Sequence, residues 1–266
     1  GNIIKPMNLK TSTALSLARF FANRKSLFHL LKFYEWWLKR KFSEPTLPQT
    51  SYQLTIKTVR ELYSHSRPVI WSSLFFPCEF IHAIGAIPFY PEITIGLVAA
   101  LGFSNIPLES AEKNWYSQDL CSYHRAGVGM SLLKLFPRPD CLVATTSICR
   151  GTAGFFRSLA DIWKIPCFLI DVPYQTTPEA NNYVKNQLSS ITSHISSQLN
   201  CQFRWEDAFS LSNSTVKTIQ QIEALRKRKN FAIQPPTKNL DYLPYYFQFL
   251  GSPVSKLFFE KFLFQL

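Results

Sequence analysis

The chain has 266 residues, enough to bury a sizeable core in one or two domains, and its 46% hydrophobic and 17% charged residues exclude a disordered chain. A formal charge of +12 suits an anionic partner: a nucleotide-bearing substrate, an acidic protein face, nucleic acid or lipid. Six cysteines in a chain this long need not be a disulfide framework, and the most apolar run, Ile93 to Phe103, is about half a spanning length, so the chain reads as cytoplasmic and thiol-reduced.

Residues 1–50 form the first predicted segment. Apolar residues from Leu15 to Leu38 recur at three- and four-residue spacings, which predicts one or two helices over 12–42. Nine Lys and Arg against Glu35 and Glu44 make the segment basic. A basic aromatic helix can lie on a membrane surface, but such a stripe more often packs on its own domain or a partner subunit, and no membrane contact is expected. Pro45 and Pro48 end the segment.

A predicted α/β domain occupies residues 51–200, its pattern clearest from Arg67 onward. Residues 68–73 read as a short apolar strand, Pro77 opens a helix that stops near Gly85, and residues 87–90 read as a second strand. Residues 141–145 form a third strand followed by a helix from about Gly154 to Trp163. Residues 166–171 form a fourth, followed by a helix from about Pro178 to Leu199. Strands separated by helices imply an open parallel sheet, flavodoxin-like, with right-handed crossovers. Residues 201–266 read as a helical connector, broken at Pro235-Pro236, and an aromatic tail from Tyr242 to Phe264. So many apolar aromatics exceed what a solvent-facing helix needs, and the tail is expected to pack on another domain, another copy or a partner.

In an open parallel sheet ligands gather at the strand carboxyl ends, and three runs fall there: Ser72 to Glu79, Thr145 to Thr152, and Asp171 to Tyr174. Glu79 is the candidate for acid–base work, or else a first-turn helix acid. His82 is expected to be packed or capping. Asp171 either faces a ligand or makes a turn. Gly151 and the pair Gly127 and Gly129 leave room for close backbone approach to a ligand. Cys141 and Cys167 lie inside predicted strands and read as core, and Cys201 looks incidental.

Four runs in order carry a resemblance: Phe76-Pro77-Cys78-Glu79-Phe80-Ile81-His82 continuing to Pro88; Cys121-Ser-Tyr-His124-Arg125-Ala-Gly127-Val-Gly129; Pro139-Asp140-Cys141 through Cys149-Arg150-Gly151-Thr152; and Phe168-Leu-Ile-Asp171-Val-Pro173-Tyr174. Together they resemble the 2-hydroxyacyl-CoA dehydratase and benzoyl-CoA reductase family, over about residues 67–228. The resemblance implies dehydration of a 2-hydroxyacyl-CoA to the 2-enoyl-CoA through a ketyl radical, a lyase reaction of anaerobic metabolism. It implies a four-iron iron–sulfur cluster (4Fe-4S) with Cys121 and Cys149 as metal ligands, Glu79 near the substrate, and Ser73 and Arg125 as substrate-binding residues. Arg125 meets either the CoA or a structural ion-pair partner. The partners implied are an acyl-CoA substrate, a second dehydratase subunit or another copy, and a separate ATP-dependent activator protein. No Walker or dinucleotide fingerprint is present in the chain itself.

Family subunits draw a third cysteine ligand from a second α/β domain, which is not seen here before the chain's end. The expectation is that this chain alone holds a cluster weakly or not at all. Whether it is itself an enzyme stays open at this point. A non-catalytic acyl-CoA-binding or partner subunit and a benzoyl-CoA reductase-like subunit are the alternatives. Nucleic acid is not an expected partner, because a parallel core without stacked aromatic motifs differs from the common RNA-binding module.

Overall fold

The computed structural model describes residues 47–227 and 243–264, together with Phe33, Trp36 and Arg40. The helices expected over 12–42 therefore fall almost wholly outside the described residues. Helix α1 (Leu47–Ser64) opens the continuous part. Pro48 lies in its first turn, where a missing N–H costs nothing because those amides have no acceptor within the helix. The expected break at Pro48 is instead a helix start.

The elements that follow are β1 (Val69–Ser72), α2 (Cys78–Ala83), β2 (Ile87–Phe89), α3 (Pro91–Ala100), α4 (Asn105–Lys113), α5 (Ser122–Leu132), β3 (Cys141–Thr145), α6 (Gly151–Trp163), β4 (Cys167–Ile170), α7 (Pro178–Leu199), α8 (Trp205–Arg226), α9 (Leu243–Phe247) and α10 (Pro253–Phe264). The strands form one parallel four-stranded sheet in the order β2-β1-β3-β4. This is the predicted α/β class, with the expected open, flavodoxin-like connectivity. Trp71 of β1 aligns with Phe89 of β2 and with Leu142 of β3, so their carboxyl ends share one edge. The chain passes from β1 to β2 on one side and then crosses back from β2 to β3 on the other side of β1, and the crevice at this switch point lies between the ends of β1 and β3.

Both faces of the sheet are covered, which is why its strands are continuous apolar runs. On one face Trp71, Phe89, Leu142 and Ala144 pack under Val128 of α5 and Phe155, Phe156 and Leu159 of α6. Trp71 is fully buried and donates its indole N–H to the Pro137 carbonyl at 3.1 Å. On the other face Ile70, Cys141, Val143 and Ile170 meet Phe80 and Ile81 of α2 and Ile191 and Ile195 of α7. Cys141 is core, as expected, and Cys167 is half-buried against the first face. Asp140 ties the amino ends of the strands together: its carboxylate accepts from the Val69 amide at 2.7 Å and pairs with His65 at 3.0 Å.

Two readings change. A Cβ on Gly129 would stand 1.8 Å from the Pro107 carbonyl oxygen, and one on Gly127 would stand 2.5 Å from the Phe155 ring. These glycines make room for α4 and α6 against α5, not for a ligand. The aromatic tail also folds onto its own chain. Tyr245, Phe249, Phe258, Phe259 and Phe262 enclose Ile222 of α8 in a third core, and the Tyr245 hydroxyl donates to the Ser51 carbonyl of α1 at 3.1 Å. A folded-back helix pair satisfies its apolar face locally, which composition alone cannot reveal. Tyr242 lies outside the described residues, and Phe264 is 90% exposed.

Candidate functional site at the strand carboxyl ends

The first turns of α3, α5 and α6 meet at the rim beyond the strand ends. Pro91 opens α3 directly after β2 and so places Glu92 in its first turn. Cys121 is the N-cap residue of α5, and two residues later the Tyr123 hydroxyl donates to the Glu92 carbonyl at 2.5 Å. Cys149 lies in the β3–α6 loop, and its sulfur would be 3.5 Å from a Cβ on Gly151, a point also 3.4 Å from Nδ1 of His124. Cys121 and Cys149 are both exposed thiols. Helix N-termini carry partial positive charge and favour an anionic occupant. The residue before Cys149, Ile148, has φ 68. A β-branched residue in the left-handed region is strained, and such strain concentrates where a loop must hold one shape.

Several polar groups near the ends of β1, β2 and β3 are buried. The Thr145 hydroxyl and one carboxylate oxygen of Glu92 are buried without a hydrogen-bond partner among the described residues, and the fully buried Tyr90 hydroxyl lies beside Ser72 and Cys78. Each unmet group of this kind costs about 1–3 kcal/mol. Ser73, also buried, accepts from the Thr145 amide through its Oγ at 3.1 Å, and so stitches β1 to β3 at the switch point. Burial raises the Glu92 carboxyl to about 7, against backbone hydrogen bonds at Glu92 and Leu74. Burial, with the nearby Cys78, Glu79 and Glu92, holds the Tyr90 hydroxyl well above its ordinary range. Burial also lowers His124 and raises Tyr123, the latter helped by the charges of Glu92 and Cys121. The arrangement can exchange a proton at Glu92 near neutral pH and can offer hydroxyls to a polar ligand.

The remaining sequence candidates are placed as follows. Glu79 is half-buried at the start of α2, where it accepts from the Ser212 hydroxyl of α8 at 2.8 Å and lies under Gly251. His82 joins the Gln248 carbonyl at 2.8 Å and the Cys78 thiol donates to the Leu250 carbonyl at 3.2 Å, so this face of α2 holds the turn between α9 and α10. Arg125 is largely buried and pairs with Glu112 of α4 at 2.5 Å. Asp171 accepts from the Thr146 hydroxyl at 2.9 Å, and its backbone N–H and carbonyl bond the Oε1 and Nε2 of the Gln187 side chain, which is turn-making work. Glu92 was missed by sequence reasoning. Its signal, Pro91-Glu92 after an apolar strand, is identical to that of any first-turn helix acid.

Cys121 and Cys149 suit two corners of a metal–sulfur group in donor chemistry and exposure. Among the described residues no set of three His, Cys, Asp or Glu side chains could enclose a metal ion. Further ligands would have to come from outside that set.

The chain is an α/β protein whose parallel sheet carries two exposed cysteines on its loops and helix starts, Cys121 at the N-cap of α5 and Cys149 in the β3–α6 loop. The chain belongs to the family described as "2-hydroxyglutaryl-CoA dehydratase, D-component", whose profile matches residues 73–265. The match runs through the tail, beyond the part where motifs carried the resemblance. Among curated proteins, the lactoyl-CoA dehydratase subunit alpha of Anaerotignum propionicum is 26% identical over 66% of this chain and 47% of its own length. The (R)-phenyllactyl-CoA dehydratase alpha subunit of Clostridium sporogenes is 31% identical over 44% of this chain and 30% of its own length. The (R)-2-hydroxyisocaproyl-CoA dehydratase alpha subunit of Clostridioides difficile is 31% identical over 46% and 32%. The chain thus spans less than half the length of these relatives. Among the described residues, no helix is long and apolar enough to cross a membrane.

Proposed function

We infer that this chain acts as part of a 2-hydroxyacyl-CoA dehydratase, removing water from a 2-hydroxyacyl-CoA to leave the 2-enoyl-CoA. The observation that carries the reading is the tie from Tyr123, two residues into the helix that Cys121 begins, to the carbonyl of Glu92, whose buried carboxyl is raised to about 7, with the buried, unpartnered Thr145 hydroxyl at the end of the strand that leads to Cys149. The relatives' printed activities supply the substrate class.

Cys121 and Cys149 would hold an iron–sulfur cluster, completed by thiolates or other ligands from a partner subunit or further chain. When bound, it supplies one electron to the thioester and takes it back at the end, so the net change is loss of water alone. The residues of this chain do the rest. The Thr145 hydroxyl donates to the thioester or the substrate hydroxyl, which ends its isolation. Ser73 orients Thr145 through the adjoining amide. Glu92, with a carboxyl near 7, protonates the departing hydroxyl as water and then accepts the proton from the neighbouring carbon. Glu92, rather than Glu79, is assigned this role because Glu79 is engaged by Ser212. Arg125 holds α5 to α4 rather than meeting the CoA.

The partners in this reading are an acyl-CoA, a second dehydratase subunit and an ATP-dependent activator protein. The test is anaerobic isolation of the assembled protein, with iron and sulfide analysis and assay of 2-hydroxyacyl-CoA dehydration. Iron is expected, and Cys121→Ser or Cys149→Ser should remove it together with activity. Cys141→Ser and Cys167→Ser should keep the iron and cost stability. Full iron in a Cys121→Ser/Cys149→Ser double variant would refute the ligand assignment.

A further inference from the structure

A cleft of about 720 Å³ opens at the side of the sheet where β2 is the edge strand. It is lined by Ile87 and Pro88 at the start of β2, by α1, by the start of α8 and by the turn between α9 and α10. None of its lining residues belongs to the rim that bears Cys121 and Cys149. Its volume falls in the range of small-molecule sites, about 300–1,000 Å³.

The charges around the cleft are not all matched. Glu61 accepts from Arg67 at 2.7 Å and lies 4.0 Å from Lys57, and Arg67 also donates to the Gly85 carbonyl at 3.2 Å, so these three side chains hold one another. Arg204, the N-cap residue of α8, differs. Its backbone N–H donates to the Ala83 carbonyl at 2.8 Å, which fixes the residue at the cleft, yet its guanidinium makes no ion pair among the described residues. Asp207, one turn along α8, lines the cleft without pairing with it. The other lining side chains include Leu54, Leu211 and Val254, which give apolar walls beside the free cation. A guanidinium takes a carboxylate through two parallel N–H···O bonds. One unmatched cation calls for one negative charge, and apolar walls call for a hydrocarbon body.

We propose that this cleft binds an apolar monocarboxylate, with its carboxylate on Arg204 and its hydrocarbon part against Leu54, Leu211 and Val254. The site is separate from the strand-end rim and does not depend on the dehydratase reading.

Titration calorimetry of the full chain tests this, with phenylacetate as the probe and phenylacetamide and inorganic phosphate as comparisons. Phenylacetate should bind once per chain, and the neutral amide should bind about tenfold or more weakly, as for a lost charge-assisted hydrogen bond. Arg204→Met keeps the aliphatic stem of an exposed side chain and should weaken phenylacetate by a similar factor. Arg204→Lys keeps the charge without the fork and should fall between Met and wild type. No saturable binding of phenylacetate, or binding unchanged in Arg204→Met, overturns the proposal. Inorganic phosphate binding as tightly as phenylacetate also overturns it, because the apolar walls would then contribute nothing.

Discussion

The Tyr123 hydroxyl donates to the backbone carbonyl of Glu92 at 2.5 Å, so the helix that Cys121 begins is pinned to the helix that carries the buried carboxyl. Tyr123→Phe removes this tie and nothing else of the ring. The expected loss of stability is about 1 kcal/mol, as for a single hydrogen bond, measured by urea denaturation. Under the proposed dehydratase role, dehydration by the assembled protein should fall further than that loss accounts for, because Glu92 and Cys121 no longer share a fixed frame. Unaltered turnover with the expected stability loss would show that the tie serves folding only.

Glu92 and His82 give opposing pH dependences. The Glu92 carboxyl is raised from 4.5 to about 7 by burial, so its contribution to stability is full below pH 4.5 and is lost as pH rises through 7. His82 is lowered by burial from 6.5 to about 4, so its contribution is full above pH 6.5 and is lost as pH falls through 4. Between pH 4.5 and 6.5 the two slopes oppose each other in the wild type. Glu92→Gln removes one of them, and its stability should climb with pH over that interval more steeply than the wild type's. Parallel profiles in denaturant titrations would count against a buried, proton-holding Glu92.

Gly129 and Gly154 are both helical glycines with opposite surroundings. Alanine at 129 would drive a methyl group into the Pro107 backbone, whereas nothing lies within 4 Å of a Cβ at 154. Gly129→Ala is expected to cost about 1–3 kcal/mol or more, since backbone cannot swing aside as a side chain can. Gly154→Ala should gain roughly 0.5–1 kcal/mol from helix propensity. Melting temperatures of the two variants should therefore move in opposite directions.

Ile148 is 73% exposed and carries φ 68, so its side chain contributes little packing to offset the strain. Ile148→Gly should stabilise the chain by about 1 kcal/mol, the usual cost of a left-handed L-residue. Under the proposed ligand role of Cys149, the same change frees the loop that presents it, and iron retention in the assembled protein should drop. A variant that is both more stable and unchanged in iron content would show that the strain has no part in holding the thiol.

Arg125 is the more buried partner of its ion pair with Glu112, at 11% side-chain exposure against 32%. Its Nε has no partner among the described residues. Glu112→Gln leaves a guanidinium in a largely dry setting and is expected to cost roughly 3 kcal/mol, near the lower end for a broken buried pair. Denaturant titration reads the loss directly. A surface-like loss of a few tenths would show that Arg125 finds water or another acceptor.

The alternation of apolar strands with helices determined the class of fold, because a parallel sheet covered on both faces must be built from short continuous apolar runs. It also determined Cys141 as core and the run around Cys149 as a strand-end loop, since both depend only on strand position. Tertiary structure decided the rest. Gly127 and Gly129 look like ligand room in one dimension and prove to be helix contacts, because close approach is a property of the neighbour. Glu79 and Glu92 are both first-turn helix acids in sequence. Folding gives Glu79 a hydroxyl from α8, more than a hundred residues away, and leaves Glu92 buried with an unmet oxygen. The aromatic tail was legible as apolar but not as self-packing, because composition sets how much surface must be buried and only the turn between α9 and α10 sets against what.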